Sequence, residues 1–113
     1  MRKDGKLDYI EFQAGGGTID GVKSFYSAAF GWTFTDYGAS YAAFSEGIDG
    51  GFDGSPTAVA KPLPVLYSTD LERALSGVGD AGGTVTKPIY AFPGGRRFHF
   101  TDPAGNELAV WSE

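Results

Sequence analysis

Glycine is the residue that most constrains how this chain can fold. The 113 residues include 18 glycines, more than twice the share found in an average protein. Several stand in runs, at positions 15–17, 50–51, 82–83 and 94–95, and the segments between them are short and rich in aromatic and β-branched residues. This spacing predicts many short strands joined by tight turns.

Composition excludes several kinds of protein. Cysteine is absent and histidine occurs once, which rules out disulfides, thiolate zinc sites, cysteine nucleophiles and multi-histidine metal sites. A net charge of −5 without a basic run disfavours nucleic-acid binding. No apolar stretch approaches the ~20 residues of a membrane span, and the N-terminus lacks the apolar core of a signal peptide. We therefore expect one bacterial-type cytoplasmic domain that binds neither nucleic acid nor membranes.

The first half of the sequence predicts the element order β-α-β-β-β. Alternation over residues 7–13 predicts a strand with Ile10 and Phe12 on its core face. Asp20 is the predicted N-cap of a helix that ends before Gly31. The helix carries one apolar stripe, formed by Val22, Phe25, Tyr26, Ala29 and Phe30. Three short strands are predicted after it, at 32–37, 40–46 and 48–54.

The second half repeats this order. Residues 62–68 predict a strand, Asp70 the N-cap of a second helix, and Gly82 the end of that helix. Three further strands are predicted, at 84–90, 96–102 and 106–112. Thr33 and Thr84 open equivalent strands in the two halves, so the sequence predicts an internal repeat.

Three segments resemble the vicinal oxygen chelate superfamily, which includes glyoxalases, bleomycin resistance proteins and extradiol dioxygenases. They are SFYSAAFGW at 24–32, DAGGTV at 80–85 and FHFTDPAGNELAVW at 98–111. The resemblance implies an α+β fold in which two βαβββ units form a curved mixed sheet around a cavity, with the helices on the outer face. It makes residues 1–6 an N-terminal extension and 7–113 a single domain, with units of about 7–54 and 62–113 joined at a seam over 55–64.

In this fold, the period of two along each strand assigns side chains to the cavity. Apolar residues that pack against the helices share one parity, so the alternate residues face the cavity. By this rule the cavity-facing residues are Tyr9, Glu11, Gln13, Tyr41, Ala43, Ser45, Arg97, His99, Thr101, Glu107, Ala109 and Trp111. Similarity to the family adds Leu63, Val65 and Tyr67. Aromatic rings with a few charged groups suit a small organic ligand, and the predicted ligand-binding residues are Tyr9, Glu11, Gln13, Tyr67, Arg97, His99, Glu107 and Trp111.

The resemblance also implies where metal-dependent members carry their ligands. Those positions fall here on Tyr9, Leu63, Ala109 and, in a glycine-rich segment, Asp49. The first three lack the imidazole and carboxylate donors of transition-metal sites, so we expect neither a metal nor another cofactor. A displaced metal site stays open as an alternative, and its residues would be Glu11, His99 and Glu107.

Several candidate residues allow two interpretations. Glu11 is either a base or ligand contact, or a carboxylate paired with Arg97 or solvent. His99 falls where extradiol dioxygenases carry an acid–base tyrosine, and it is alternatively a structural histidine. Arg97 either binds an anion or is solvated. Trp111 and Tyr9 either stack on a flat ligand or take part in packing or a dimer contact.

Three functions follow from these residues and the resemblance. The first is metal-free binding of a small organic, aromatic or anionic, molecule without catalysis, as in members of the bleomycin resistance type. The second is a metal-dependent glyoxalase-like lyase, isomerase or dioxygenase, and the third is an accessory protein whose dimer is the working part. We expect the first function. We also expect a homodimer, because 15% aromatic residues exceeds the need of one small core.

Overall fold

The computed structural model describes residues 2–14, 19–55 and 62–113, so the glycine run at 15–17 and most of the predicted seam lie outside the described residues. These residues form two successive βαβββ series, which confirms the α+β class and the internal repeat. The first series is β1 (Leu7–Gln13), α1 (Ile19–Phe30), β2 (Thr35–Asp36), β3 (Tyr41–Ser45) and β4 (Asp49–Asp53). The second series is β5 (Leu63–Tyr67), α2 (Leu71–Asp80), β6 (Thr84–Phe92), β7 (Gly95–Thr101) and β8 (Glu107–Ser112).

The chain divides into two compact units, and the division falls inside β1. The N-terminal unit is Tyr9–Leu63, and the C-terminal unit joins Met1–Asp8 to Pro64–Glu113. Backbone hydrogen bonds connect the early residues to β5: the Gly5 N–H donates to the Tyr67 carbonyl at 2.8 Å, and the Tyr67 N–H donates to the carbonyl of Lys6 at 3.0 Å. The residues that precede the division therefore pack with the C-terminal unit.

In the N-terminal unit the strand order is β2-β3-β4-β1. β1 and β4 are parallel, whereas the other two pairs are antiparallel. Ile10 and Phe12 of β1 pack into the core, as their alternation predicts. The other core residues are Ala14, Ile19, Val22, Tyr26, Trp32, Phe34, Ala42, Phe44 and Phe52. Tyr9, Glu11 and Tyr41 have the opposite parity and lie on the other face of these strands.

In the C-terminal unit the strand order is β5-β8-β7-β6, with a parallel β5–β8 pair and antiparallel pairs beyond it. Phe98 of β7 is 0% exposed and packs with Leu71 of α2 and Val110 of β8. The partly buried residues around them are Leu66, Ala74, Leu75, Val78, Val85, Ile89 and Phe100. The predicted parity of β7 is thus confirmed, and Arg97 and His99 lie on the face away from α2.

Three residues at the ends of the helices have the roles that the sequence predicts. The Asp70 carboxylate accepts the Arg73 N–H at 3.1 Å and caps α2, as predicted. Gly31 and Gly82 follow the two helices with φ of +74° and +100°, a conformation that glycine adopts without steric cost.

Two local predictions about the first half are wrong. α1 begins at Ile19, so Asp20 lies in its first turn and does not cap it. β2 covers only Thr35–Asp36, so Thr33 does not open a strand. The reason is that the Thr33 N–H donates to the Glu46 carboxylate at 3.1 Å in place of a strand partner.

Two aromatic residues of the predicted α1 stripe are exposed. Phe25 is 58% and Phe30 is 65% exposed, whereas Val22 and Tyr26 pack against the core. The Phe25 and Phe30 rings meet edge-on with centroids 6.4 Å apart. The stripe is therefore wider than the surface that the sheet covers. Neither helix of the described residues is long and apolar enough to cross a membrane.

Candidate functional site

In the C-terminal unit, the strand face that points away from α2 gathers charged and aromatic side chains. The register of β6, β7 and β8 places Tyr90 beside Arg97, and Arg97 beside Trp111. It also places Lys87 beside His99. Paired residues on one face of a sheet are direct neighbours, so three strands contribute to one surface, which we call the β6–β8 face.

His99 is the centre of a hydrogen-bonded chain on this face. Its Nε2 lies 2.9 Å from the Tyr90 hydroxyl, and its Nδ1 lies 3.3 Å from the Glu107 carboxylate. Because a carboxylate only accepts, we assign the ring proton to Nδ1, and Nε2 then accepts the Tyr90 proton. The Nε–H of Arg97 donates to the same tyrosine oxygen. One arrangement of protons thus accounts for all three contacts.

The surroundings of His99 keep its imidazole neutral. His99 is 1% exposed, and this burial lowers its pKa below the ordinary value of 6.5. The positive charges of Arg97 and Lys87 lower the pKa further, while the hydrogen bond and charge of Glu107 act in the opposite direction. At neutral pH the ring is therefore uncharged, the state in which Nε2 can take up a proton.

Stability is expected to fall as the pH drops through the weakly acidic range. The folded-state pKa of His99 lies below its unfolded value, so between the two the unfolded chain binds a proton that the folded chain does not. The contribution of His99 is complete above about pH 6.5 and is lost as the pH falls towards the folded pKa. Urea unfolding of wild type and His99→Gln across this range measures it. The free energy of unfolding of the variant should not show this dependence on pH, because His99 is the only histidine. An equal pH dependence in the two proteins would contradict the lowered pKa of His99.

Trp111 extends the β6–β8 face with further rings and a further cation. Its ring centroid lies 5.3 Å from that of Tyr67 and 6.3 Å from that of Phe92. The Arg2 guanidinium lies 4.9 Å from the Trp111 ring centroid, so Arg2 makes a cation–π contact with the indole. The Arg97 guanidinium lies 5.7 Å from the Phe92 centroid. Cations and aromatic rings therefore alternate along the face.

Lys87, Tyr90 and Phe92 also belong to this face, although alternation along the sequence does not predict it. In a regular strand, Lys87 and Tyr90 would point to opposite faces. The β6–β7 register shifts between Val85 and Lys87 and again between Lys87 and Tyr90. As a result the Lys87 amine lies 5.3 Å from the Tyr90 ring centroid, on the same face. The one signal of this irregularity in the sequence is Pro88, which disfavours regular strand pairing.

In the N-terminal unit, Tyr41 joins Tyr9 and Glu11. The two tyrosine hydroxyls are 2.6 Å apart, and the Tyr41 hydroxyl donates to the Glu11 carboxylate at 3.0 Å. Gly51 leaves the space for this ring, because a Cβ there would lie 2.3 Å from the Tyr41 oxygen. Burial and then the charge of Glu11 raise the pKa of Tyr41, so its phenol stays protonated. Glu11 therefore has a tyrosine as a hydrogen-bond donor.

The predicted ligand-binding residues fall into two groups, one in each unit. Tyr9, Glu11 and Gln13 belong to the N-terminal unit, where Gln13 lies at the exposed end of β1. Tyr9 also lines a cleft of about 390 Å³ within that unit. The C-terminal unit holds the others, which are Tyr67, Arg97, His99, Glu107 and Trp111. Among these five, Tyr90 links Arg97 to His99, and His99 in turn contacts Glu107.

Comparison with known proteins identifies the fold. No protein-family model and no curated protein sequence matches the chain. An NAD-dependent benzaldehyde dehydrogenase from Legionella pneumophila is similar in structure, with a TM-score of 0.76, 12% identity, and coverage of 92% of this chain and 96% of that chain. A glyoxalase/bleomycin resistance protein/dioxygenase superfamily member from Vibrio splendidus 12B01 gives a TM-score of 0.69, 12% identity, and coverage of 93% and 97%. A Mn(II)-bound glyoxalase from Novosphingobium aromaticivorans gives 0.66, 21% identity, and coverage of 99% and 40%.

The chain has the vicinal oxygen chelate fold. The α+β class and the two βαβββ units that the three sequence segments imply are thereby confirmed. TM-scores of 0.66 to 0.76 establish this fold, whereas identities of 12% to 21% leave activity open. The chain also spans only 40% of the Novosphingobium glyoxalase.

The metal positions of the vicinal oxygen chelate fold do not suit this chain. Leu63 and Ala109 are buried apolar residues without a donor atom, and the Tyr9 hydroxyl is engaged with Tyr41. His99, one of the three residues of the alternative displaced site, has both ring nitrogens in hydrogen bonds. No three His, Asp or Glu side chains converge within the described ranges. Since a divalent transition metal needs several convergent donors, these residues do not fit one.

Proposed function

We propose that this chain binds a small aromatic anion on the β6–β8 face, without a transition metal. The observation that carries the proposal is the position of the Arg97 guanidinium, 5.7 Å from the ring centroids of both Tyr90 and Phe92. The cation attracts a carboxylate, and the neighbouring rings offer apolar surface to the flat part of the same molecule. A ligand that is both aromatic and anionic uses both features.

Arg97 is positioned before any ligand arrives. Its side chain is half-buried, and its Nε–H is tied to the Tyr90 hydroxyl. A guanidinium held in this way loses little conformational freedom on binding, and its planar fork matches the geometry of a carboxylate. Lys87 adds a second positive charge beside the Tyr90 ring. The chain as a whole has a net charge of −5. The positive charges of the β6–β8 face, and not the overall charge, therefore attract an anion.

Replacing Arg97 by glutamine is expected to weaken naphthoate binding at least about tenfold. A hydrogen bond to a charged group contributes roughly 1.5–3 kcal/mol, and each 1.4 kcal/mol corresponds to about a factor of ten in affinity. Isothermal titration calorimetry with naphthoate and with neutral naphthamide measures the effect. We expect wild type to prefer naphthoate, and Arg97→Gln to lose that preference.

Arg96 supplies the matched control for this experiment. It is the adjacent residue, and its guanidinium pairs with Glu72 at 2.6 Å. Arg96→Gln should leave naphthoate affinity unchanged, and so should prior treatment of the protein with a chelator. An equal loss in the two arginine variants would contradict the proposed site, and a loss on chelation would contradict the metal-free part of the proposal.

We also propose that the chain forms a homodimer. Support comes from the exposed Phe25 and Phe30 on α1, because paired apolar surface is stabilised when a partner covers it. Light scattering at micromolar concentration is expected to give about twice the chain mass of 11.9 kDa. A mass near that of one chain would overturn the proposal.

A further inference from the structure

We propose that Tyr90 is a nucleophile for acyl transfer, with His99 as its general base and Glu107 as the residue that positions His99. The Tyr90 hydroxyl lies 2.9 Å from the His99 imidazole, and the imidazole lies 3.3 Å from the Glu107 carboxylate. Nucleophile, base and orienting carboxylate follow one another in this order in covalent catalysis by hydroxyl groups. The reaction goes beyond the binding proposed above, because it breaks and forms bonds on the same face.

Arg97 supplies the charge stabilisation that a phenol nucleophile needs. Its Nε–H donates to the Tyr90 oxygen, the atom on which negative charge develops when the proton moves to His99. The tyrosine oxygen therefore has a proton acceptor on one side and a cationic donor on the other. Tyr90 is half-buried and so lies within reach of a bound molecule.

The proposed reaction is the cleavage of an ester in two balanced halves. First, the Tyr90 oxygen bonds to the ester carbonyl carbon while its proton passes to Nε2 of His99. The bond between that carbon and the leaving oxygen then breaks, and the leaving oxygen takes the proton from His99. Water next attacks the acyl carbon and gives one proton to Nε2. The acyl–Tyr90 bond breaks, and that proton returns to the tyrosine oxygen, so that no oxidant, reductant or cofactor is consumed.

The charged groups around His99 suit the base role. Tyr90 and Lys87 face it from β6, Arg97 from β7 and Glu107 from β8. The two cations and the burial favour a neutral ring that can accept a proton, and Glu107 stabilises the imidazolium once it forms. The same cations stabilise the negative charge that develops on an aryl leaving oxygen before it takes the proton from His99, and the Phe92 ring beside Arg97 provides aromatic surface. Aryl esters are therefore the substrate class.

Reaction of the full chain with nitrophenyl acetate tests acyl transfer to Tyr90. We expect a fast phase that releases about one nitrophenolate per chain, as an accumulating acyl-enzyme does. The intact protein should gain one acetyl group, and peptide mass spectrometry should locate it on Tyr90. Because this mapping uses the wild type, it identifies the acylated residue even if a variant fails to fold.

Variants separate the residue roles. Tyr90→Phe should lose the fast phase, whereas Tyr37→Phe, which removes an exposed tyrosine of the N-terminal unit, should keep it. His99→Gln should slow acylation by about 100-fold or more, the usual contribution of a general base. In Glu107→Gln the pH midpoint of the acylation rate should move to lower pH, because the carboxylate that raises the pKa of His99 is gone.

Three outcomes would overturn this proposal. They are acetylation of Tyr37 or of surface lysines as fast as Tyr90, a fast phase that survives in Tyr90→Phe, and an unchanged pH midpoint in Glu107→Gln. Naphthoate affinity is measured separately. Intact naphthoate binding without Tyr90 acylation would refute acyl transfer alone, and Tyr90 acylation without naphthoate binding would refute the proposed binding function alone.

Discussion

Replacing Gly50 with alanine is expected to destabilise the protein by about 3 kcal/mol, the upper end of the usual cost of overpacking. Gly50 lies in β4 between Ile10 of β1 and Phe44 of β3. A Cβ at this position would lie 2.4 Å from the Ile10 carbonyl oxygen and 2.6 Å from the Phe44 ring. The carbonyl belongs to the backbone of a paired strand, so it can move only if the β1–β4 pairing is disturbed. Urea unfolding followed by circular dichroism measures the change in the free energy of unfolding.

Gly77 in α2 provides the matched glycine control. A Cβ there would meet no atom within 4 Å, and the residue lies inside a helix. Gly77→Ala should therefore stabilise the protein by roughly 0.5–1 kcal/mol, because alanine loses less conformational freedom than glycine in a helix. If both alanine variants changed stability in the same direction by similar amounts, the close packing between β4 and β1 would be refuted.

Truncation of Phe98 to alanine is expected to cost about 4 kcal/mol, within the range observed for large core aromatic residues. Phe98 is fully buried on β7, where it packs against Leu71 of α2 and Val110 of β8. Its removal leaves a cavity between the helix and the sheet, which these neighbours can fill only in part. The same urea titration reports the loss as a lower midpoint.

Tyr37→Ala is the matched control for Phe98→Ala. Tyr37 is also a large aromatic residue, but it is 65% exposed. Its truncation should change the free energy of unfolding by less than about 0.5 kcal/mol, as for other surface substitutions. Comparable losses in the two variants would show that the assignment of the core to Phe98 is wrong.

The parts of the fold that local patterns determine were predictable. Ile10, Phe12 and Phe98 follow the period of two, and the buried face of each strand could be derived from that alternation. Asp70 and Gly82 act through a single nearby turn, so their roles are also visible in the sequence. Thr33 differs because its N–H binds Glu46, a residue distant in sequence, and no local pattern reports that contact.

The candidate site was predictable only in part, for the same reason. Arg97, His99 and Glu107 belong to regular strands, and their parity placed them together on one face. Tyr90 connects Arg97 to His99, yet it reaches them only because β6 shifts its register. A register shift depends on the pairing of two strands, so alternation along a single strand cannot show it. The position of Lys87 on this face depends on the same register shift.

The most direct test of the central claim uses the indole N–H signals of the two tryptophans. Trp111 lies on the β6–β8 face, and its Nε1–H donates to Asp8 at 3.1 Å. Trp32 packs in the N-terminal unit between Tyr26 and Phe44, at ring-centroid distances of 4.7 and 4.8 Å. Two-dimensional proton–nitrogen NMR during a naphthoate titration should show a saturable shift of the Trp111 signal and a stationary Trp32 signal. A shift of Trp32 alone, or no shift of either signal at millimolar naphthoate, would contradict binding of an aromatic anion on this face.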